Sequence, residues 1–294
     1  MKAIITLIKS LILSLSVIFI CNAKDINIAI IDTGIDPHHT DFKGRLYVGG
    51  KQATSDFYGI DFSLNAANQM QPYDQHGHGT HIAGIISKYA PNARLHILKY
   101  YNPEASGEEN LQSTINALEY AIKLGVDIIN YSSGGPEPSL YEKKLFDLAE
   151  KKGILIVSAA GNEGQNIDSQ GKEFFPASYQ NKNIITVGAH DQKYGPLGSS
   201  NYGIDSVDIF APGKRILSTL PNNREGYLSG TSQATAFVSA RVSLLMNKLK
   251  TKNISLIKKT LFANAVKKKK IIGLCLTNGV LNPLELASQV AYGK

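Results

Sequence analysis

Short runs of β-branched and aliphatic residues recur along the chain, and the stretches between them carry apolar positions at helical spacing. Ile26-Asn27-Ile28-Ala29-Ile30-Ile31 has almost no polar position, which predicts a strand buried on both faces. The same reasoning predicts strands over Leu95–Tyr100, Val126–Tyr131, Ile154–Ala159, Ile184–Ala189 and Val207–Phe210. Leu111, Ile115, Leu118, Ala121 and Ile122 fall on one face of a helix spanning 110–124. Further helices are expected from Gly79 onward, over 140–152, from the Gly230-Thr231-Ser232 stretch to about Leu249, and over 254–263 and 283–290. Between about Lys43 and Gln75 apolar pieces are short and scattered, so hairpin and loop are expected there. Strands alternating with helices imply an α/β domain with a mostly parallel central sheet and helices on both faces. Right-handed crossovers then place chemistry at the carboxyl ends of the strands.

Those strand ends carry small and polar residues. The first runs into Asp32-Thr33-Gly34, another into Ser132-Ser133-Gly134, and a third into Ala160-Gly161-Asn162-Glu163-Gly164. Asp32 is either a functional carboxylate or a turn-forming residue bonding its own backbone. Ser232 opens a long apolar run, so its hydroxyl lies at a helix N-terminus. Unpaired N–H groups there favour a developing negative charge, which suits a nucleophile; the alternative is a helix cap. His76, His78 and His81 crowd the start of another helix. His78 and His81 share a face and can in principle hold zinc, but no Glu follows the first His and no third ligand is evident.

Composition narrows the class. The chain has 294 residues, 43% hydrophobic and 19% charged, enough for one large core and unlike a disordered chain. Lys2 and Lys9 precede the apolar run Leu11–Ile20, followed by Cys21-Asn22-Ala23. A charged start, a short apolar stretch and small residues at a cut site predict a signal peptide over residues 1–23 and an exported chain, secreted or periplasmic. The run is short of the roughly 20 residues a membrane span needs, so no stable membrane insertion is expected once the leader is removed. The formal charge of +7 falls to about +5 without Lys2 and Lys9. Lys267-Lys268-Lys269-Lys270 has no interleaved aromatic residues and reads as a solvated loop, so no nucleic-acid partner is implied. Beyond the leader only Cys275 remains, and it lies in an apolar stretch as a packed residue.

Taken together, Asp32-Thr33-Gly34-Ile35-Asp36, Gly77-His78-Gly79-Thr80-His81-Ile82-Ala83-Gly84, Ala159-Ala160-Gly161-Asn162-Glu163-Gly164 and Gly230-Thr231-Ser232 resemble the subtilisin-like (subtilase, S8-type) serine peptidases. The resemblance runs from about Ile26 to Met246. It implies a three-layer fold and an exported serine endopeptidase with Asp32, His78 and Ser232 as its triad and Asn162 as oxyanion donor. Ser132, Ser133 and Gly134 match the edge segment that pairs with an extended peptide, and Ala159, Ala160 and Gly161 match a wall of the primary specificity pocket. Those small side chains suggest room for a large apolar residue. Asp168 and Glu173 follow in a loop within reach, where they would favour a basic residue unless they lie on the surface. The segment 82–93 is shorter than the calcium loop of many relatives, so neither calcium nor another cofactor is implied. A single catalytic domain over 24–294 is expected, monomeric and acting on extended peptides or proteins, with no room for a prodomain. Gln233 replaces the usual Met behind the nucleophile. That departure and the missing prodomain motivate one alternative, a weakly active peptide-binding protein; a narrow-specificity maturation protease is another.

Overall fold

The computed structural model describes residues 25–63, 66 and 69–282, so the leader and the helix expected over 283–290 lie outside the described residues. The predicted alternation is present. The principal strands are β1 (Ile26–Asp32), β5 (Ala93–Lys99), β6 (Ile128–Tyr131), β7 (Leu155–Ala159), β8 (Ile184–His190) and β9 (Ile209–Pro212). The helices are α1 (His78–Tyr89), α2 (Gly107–Leu124), α3 (Leu140–Lys151), α4 (Thr231–Leu249) and α5 (Ile254–Ala263). Short strands complete the set: β2 (Tyr47–Val48), β3 (Lys51–Gln52), β4 (Ile60–Asp61), β10 (Ile216–Leu220), β11 (Arg224–Leu228), β12 (Val266–Lys267) and β13 (Gly279–Val280).

The central sheet runs β12-β13-β9-β8-β7-β6-β1-β5-β4, and only the outermost pair, β12 with β13, is antiparallel. Side chains alternate across each strand. Ile28 and Ile30 pack with Ile128, Leu155, Val187 and Ile209 against α1, α4 and α5, while Ala29 and Ile31 pack with Ile129 and Ile156 against α2 and α3. The result is a three-layer α/β fold in which each helix layer covers one face. Burial of a large aliphatic or aromatic side chain in such a layer stabilises by roughly 1.5–3 kcal/mol. α4 lies deepest, with almost every position from Thr231 to Met246 buried.

Helix α2 begins with a capping box: Ser106 accepts from the Glu109 N–H, and Glu109 reaches back to the Ser106 N–H. It ends at Gly125 in the left-handed region. The hairpin β10–β11 was not evident in the hydrophobic pattern. Its turn places Asn222 and Asn223 at positive φ, which matches the right-handed twist of the flanking strands. Inward-facing hydroxyls then join it to α1: Ser218 Oγ donates to the His81 carbonyl at 2.8 Å and Thr219 Oγ1 to the Thr80 carbonyl at 2.7 Å. The lysine run 267–270 is also more ordered than a loop, forming the edge strand β12 and a 3-10 turn. Cys275 is fully buried, and burial pushes its thiol pKa up.

Candidate active site

Because β1, β6 and β7 are adjacent and parallel, their carboxyl ends deliver Asp32, Ser132 and the 159–163 segment to one edge. Two helix N-termini face that edge and bring His78 and Ser232. A cleft of about 350 Å³ opens here, lined by Thr33, His76, His78, Tyr100, Tyr101, Ser132, Ser133, Gly134, Ala159, Gly161, Asn162, Glu163, Phe174 and Thr231.

Asp32 is 3% exposed. Its Oδ1 accepts from the Thr33 N–H at 2.8 Å and lies 2.7 Å from His78 Nδ1. Since an ionised carboxylate only accepts, Nδ1 carries the proton and donates, leaving Nε2 as the acceptor end of a neutral ring. The His78 side chain is 23% exposed on the cleft side. Burial opposes its protonation, but the charge and hydrogen bond of Asp32, with the charge of Asp74 behind them, outweigh burial and raise its pKa above 6.5.

The first turn of α1 is held by a residue that the sequence pattern did not single out. Asp74 is fully buried. Its Oδ1 accepts from Thr33 Oγ1, the His76 N–H and the Gly77 N–H, and its Oδ2 from the Thr80 N–H and Thr80 Oγ1, all between 2.6 and 3.1 Å. Thr33 Oγ1 accepts in turn from the Gly79 N–H at 2.8 Å. The carboxylate thus satisfies the unpaired donors of a helix whose N-cap, Gly77, has no side chain to do so, and it complements the helix dipole. A carboxylate just before a glycine-opened helix was the available signal. Gly79 permits the approach: a Cβ there would lie 2.3 Å from the Gly34 carbonyl oxygen. Asp74→Ala is expected to cost at least about 3 kcal/mol, because several buried N–H groups lose their acceptor together. Denaturant unfolding measures this; a loss under about 1 kcal/mol contradicts it.

Ser232 occupies the first turn of α4 and is 7% exposed. Its Oγ donates to the Ser132 carbonyl at 3.1 Å. The oxygen of Asn162, Oδ1, accepts from the Thr231 N–H at 3.0 Å and from Thr231 Oγ1 at 3.2 Å. An N–H can only donate, so the amide orientation is fixed and its Nδ2 end is left as the donor. Asn201, also unanticipated, shapes the loop that carries Asn162. Its Nδ2 donates to the Ala160 carbonyl and to Glu163 Oε2, and its Oδ1 accepts from the Glu163 and Gln165 N–H groups. Gln233 is buried, with its Oε1 close to Gly230.

The remaining expectations divide. Ser132, Ser133, Gly134, Ala159 and Gly161 line the cleft. Ala160 does not, which corrects its place in the pocket wall. Alternation at the strand end turns its side chain to the other face, where it packs fully buried with Ile167 and Ala177. Asp168 does not reach the pocket either: its carboxylate accepts from the Asp205 and Ser206 N–H groups and pins that loop. Glu163 and Phe174 stand at the cleft instead. His81 turns away from His78, and its Nε2 donates to the carbonyls of Ile216 and Gly226 at 3.0 and 3.2 Å. His76 stacks edge-on against Tyr101 at the cleft rim.

The family model of the subtilase family matches residues 23–289. The chain belongs to the subtilase family. This subtilase is 36% identical over 233 residues to the major intracellular serine protease of Bacillus subtilis strain 168, covering 76% of this chain and 68% of that one. It is 33% identical over 250 residues to subtilisin DY of Bacillus licheniformis, covering 82% and 84%. The solved structure of the epidermin leader peptide processing serine protease of Staphylococcus aureus shares the fold, with a TM-score of 0.74 at 24% identity over 92% of this chain and 76% of that one. Family and fold together make this subtilase a serine endopeptidase. Among the described residues, no helix is long and apolar enough to cross a membrane.

Proposed function

We propose that this subtilase hydrolyses peptide bonds through an acyl-enzyme on Ser232, with His78 as base and acid, Asp32 as orienter and Asn162 as oxyanion donor. The observation that carries the assignment is the 2.7 Å contact between Asp32 Oδ1 and His78 Nδ1, which sets the ring with Nε2 as its basic atom. A serine hydroxyl is a weak nucleophile until a base takes its proton, and neutral imidazole performs this near physiological pH. At rest the Ser232 hydroxyl is held by the Ser132 carbonyl. In the proposed step the hydroxyl leaves that carbonyl for His78 Nε2, and catalytic hydrogen bonds commonly tighten only when substrate is bound.

Attack on the scissile carbonyl forms a C–O bond while His78 takes the Ser232 proton. Asn162 Nδ2 and the Ser232 N–H at the start of α4 then donate to the oxyanion, aided by the helix dipole. The imidazolium returns its proton to the leaving amine as the C–N bond breaks. Water, activated by the same imidazole, releases the acyl group. The segment 132–134 supports this reading as a β-edge able to pair with an extended peptide.

Asn162→Ala is expected to lower kcat by about 10²–10³-fold with KM little changed, the size known for the oxyanion asparagine of subtilisin. Steady-state hydrolysis of a chromogenic peptide checks it, and an unchanged kcat would remove Asn162 from the mechanism. We also infer export of a single catalytic domain over 24–294. Its support is the charged, apolar and small-residue sequence of positions 1–23, and the N-terminal mass of the protein recovered outside the cell tests it.

A further inference from the structure

The ring of Phe174 stands close to both Gly134 and Gly161 and lines the cleft together with them and Ala159. A Cβ added to Gly134 would lie 2.5 Å from Phe174 Cε1 and 3.0 Å from Cζ, and one added to Gly161 would lie 3.1 Å from Cδ1. The ring therefore touches both backbone walls, at the one residue on each wall that has no side chain. A side chain at Gly134 would collide with the ring, and one at Gly161 would press on it.

The ring is also held. The Phe174 N–H donates to Ser178 Oγ at 3.1 Å, and its carbonyl accepts from the Ser178 N–H at 2.8 Å. The next residue, Phe175, exchanges backbone hydrogen bonds of 2.7 and 2.9 Å with Gly135, which joins this loop to the substrate-edge segment. The ring itself packs half-buried on the cluster that includes Ala160, Ile167 and Ala177. Moving it aside would lose that packing and expose apolar surface.

We propose that Phe174 is the specificity-determining residue of this subtilase, filling its primary pocket so that the residue preceding the scissile bond must be small: Gly, Ala or Ser. This rests on the peptidase reading and deepens it. A pocket merely too large by a methylene discriminates weakly, whereas a pocket already occupied excludes by overlap, so the selection against aromatic residues is steep. It also replaces the expectation of a large apolar residue, which took account of the small walls but not of what stands between them.

The test compares succinyl-Ala-Ala-Pro-Ala and succinyl-Ala-Ala-Pro-Phe p-nitroanilides. Wild type is expected to favour the Ala peptide in kcat/KM by about tenfold or more, and Phe174→Ala to raise the Phe-to-Ala ratio by about 10²-fold. Phe174→Leu keeps most of the packing and is expected to raise the ratio by a smaller factor, so it carries the test if the alanine variant folds poorly. A wild-type enzyme that cleaves the Phe peptide at least as fast as the Ala peptide overturns the proposal, as does a ratio unchanged in both folded variants. A protein inert toward both peptides and unlabelled by diisopropyl fluorophosphate overturns the peptidase reading itself, which is a different outcome.

Discussion

Ser232→Ala will lower kcat by about 10⁶-fold while leaving KM and the fold nearly unchanged. The magnitude is the one known for the nucleophile of subtilisin. The reasons lie in this chain. Ser232 Oγ is the hydroxyl placed where two helix N-termini and three strand ends meet, and in the proposed mechanism its removal leaves nothing for His78 to deprotonate. Peptide affinity should persist, because the edge segment 132–134 and the cleft walls are untouched. Stability should change by about 1 kcal/mol or less, since the hydroxyl gives up one hydrogen bond to the Ser132 carbonyl. The residual rate, still above that in water, would come from the oxyanion donors and from binding. Retention of more than about 1% of wild-type kcat would contradict the assignment, on the scale of effects known for this residue.

Asp32→Asn should lower kcat by about 10⁴-fold, again a size known for serine proteases with this triad. The substitution keeps shape but not polarity. As a carboxylate, Asp32 accepts from both the Thr33 N–H and His78 Nδ1–H. An amide can present its N–H₂ to the imidazole instead, which favours the tautomer with its proton on Nε2 and removes the base. The pH profile separates this from simple disruption. In the wild type, burial alone would lower the His78 pKa, but the charge and hydrogen bond of Asp32, with Asp74, raise it above 6.5. In the proposed mechanism activity requires the neutral ring, so kcat/KM is expected to fall as pH drops through that raised pKa. Without the carboxylate, burial prevails and the acid limb of the residual activity moves to lower pH. An acid limb that stays in place or moves upward would contradict the coupling.

Much of this site is legible in the sequence because its members lie at strand ends and helix starts. The β-branched runs reveal β1 and its neighbours, their alternation reveals the parallel sheet, and the sheet puts Asp32 and Asn162 on one edge. The hairpin β10–β11 escapes the same reading. Arg224-Glu225-Gly226 has no apolar face, and the pairing is set by turn residues and by hydroxyls buried against α1. Asp74 and Asn201 escape for a related reason: each is one polar residue whose role comes from donors that only the folded backbone gathers. Phe174 shows the limit most directly. Ala159, Ala160 and Gly161 describe the walls of a pocket, yet Ala160 faces the core and the ring of Phe174, further along the same β7–β8 connection, comes back against Gly134 and Gly161. Wall composition is local, but what fills the space is tertiary.

The proposed mechanism requires Ser232 to be an activated nucleophile, and covalent labelling reads this most directly. Purified wild-type protein incubated with diisopropyl fluorophosphate should gain one diisopropyl phosphoryl group by intact mass, and peptide mapping should place it on Ser232. An unchanged mass in a folded protein, or the group on any other residue, would contradict the account.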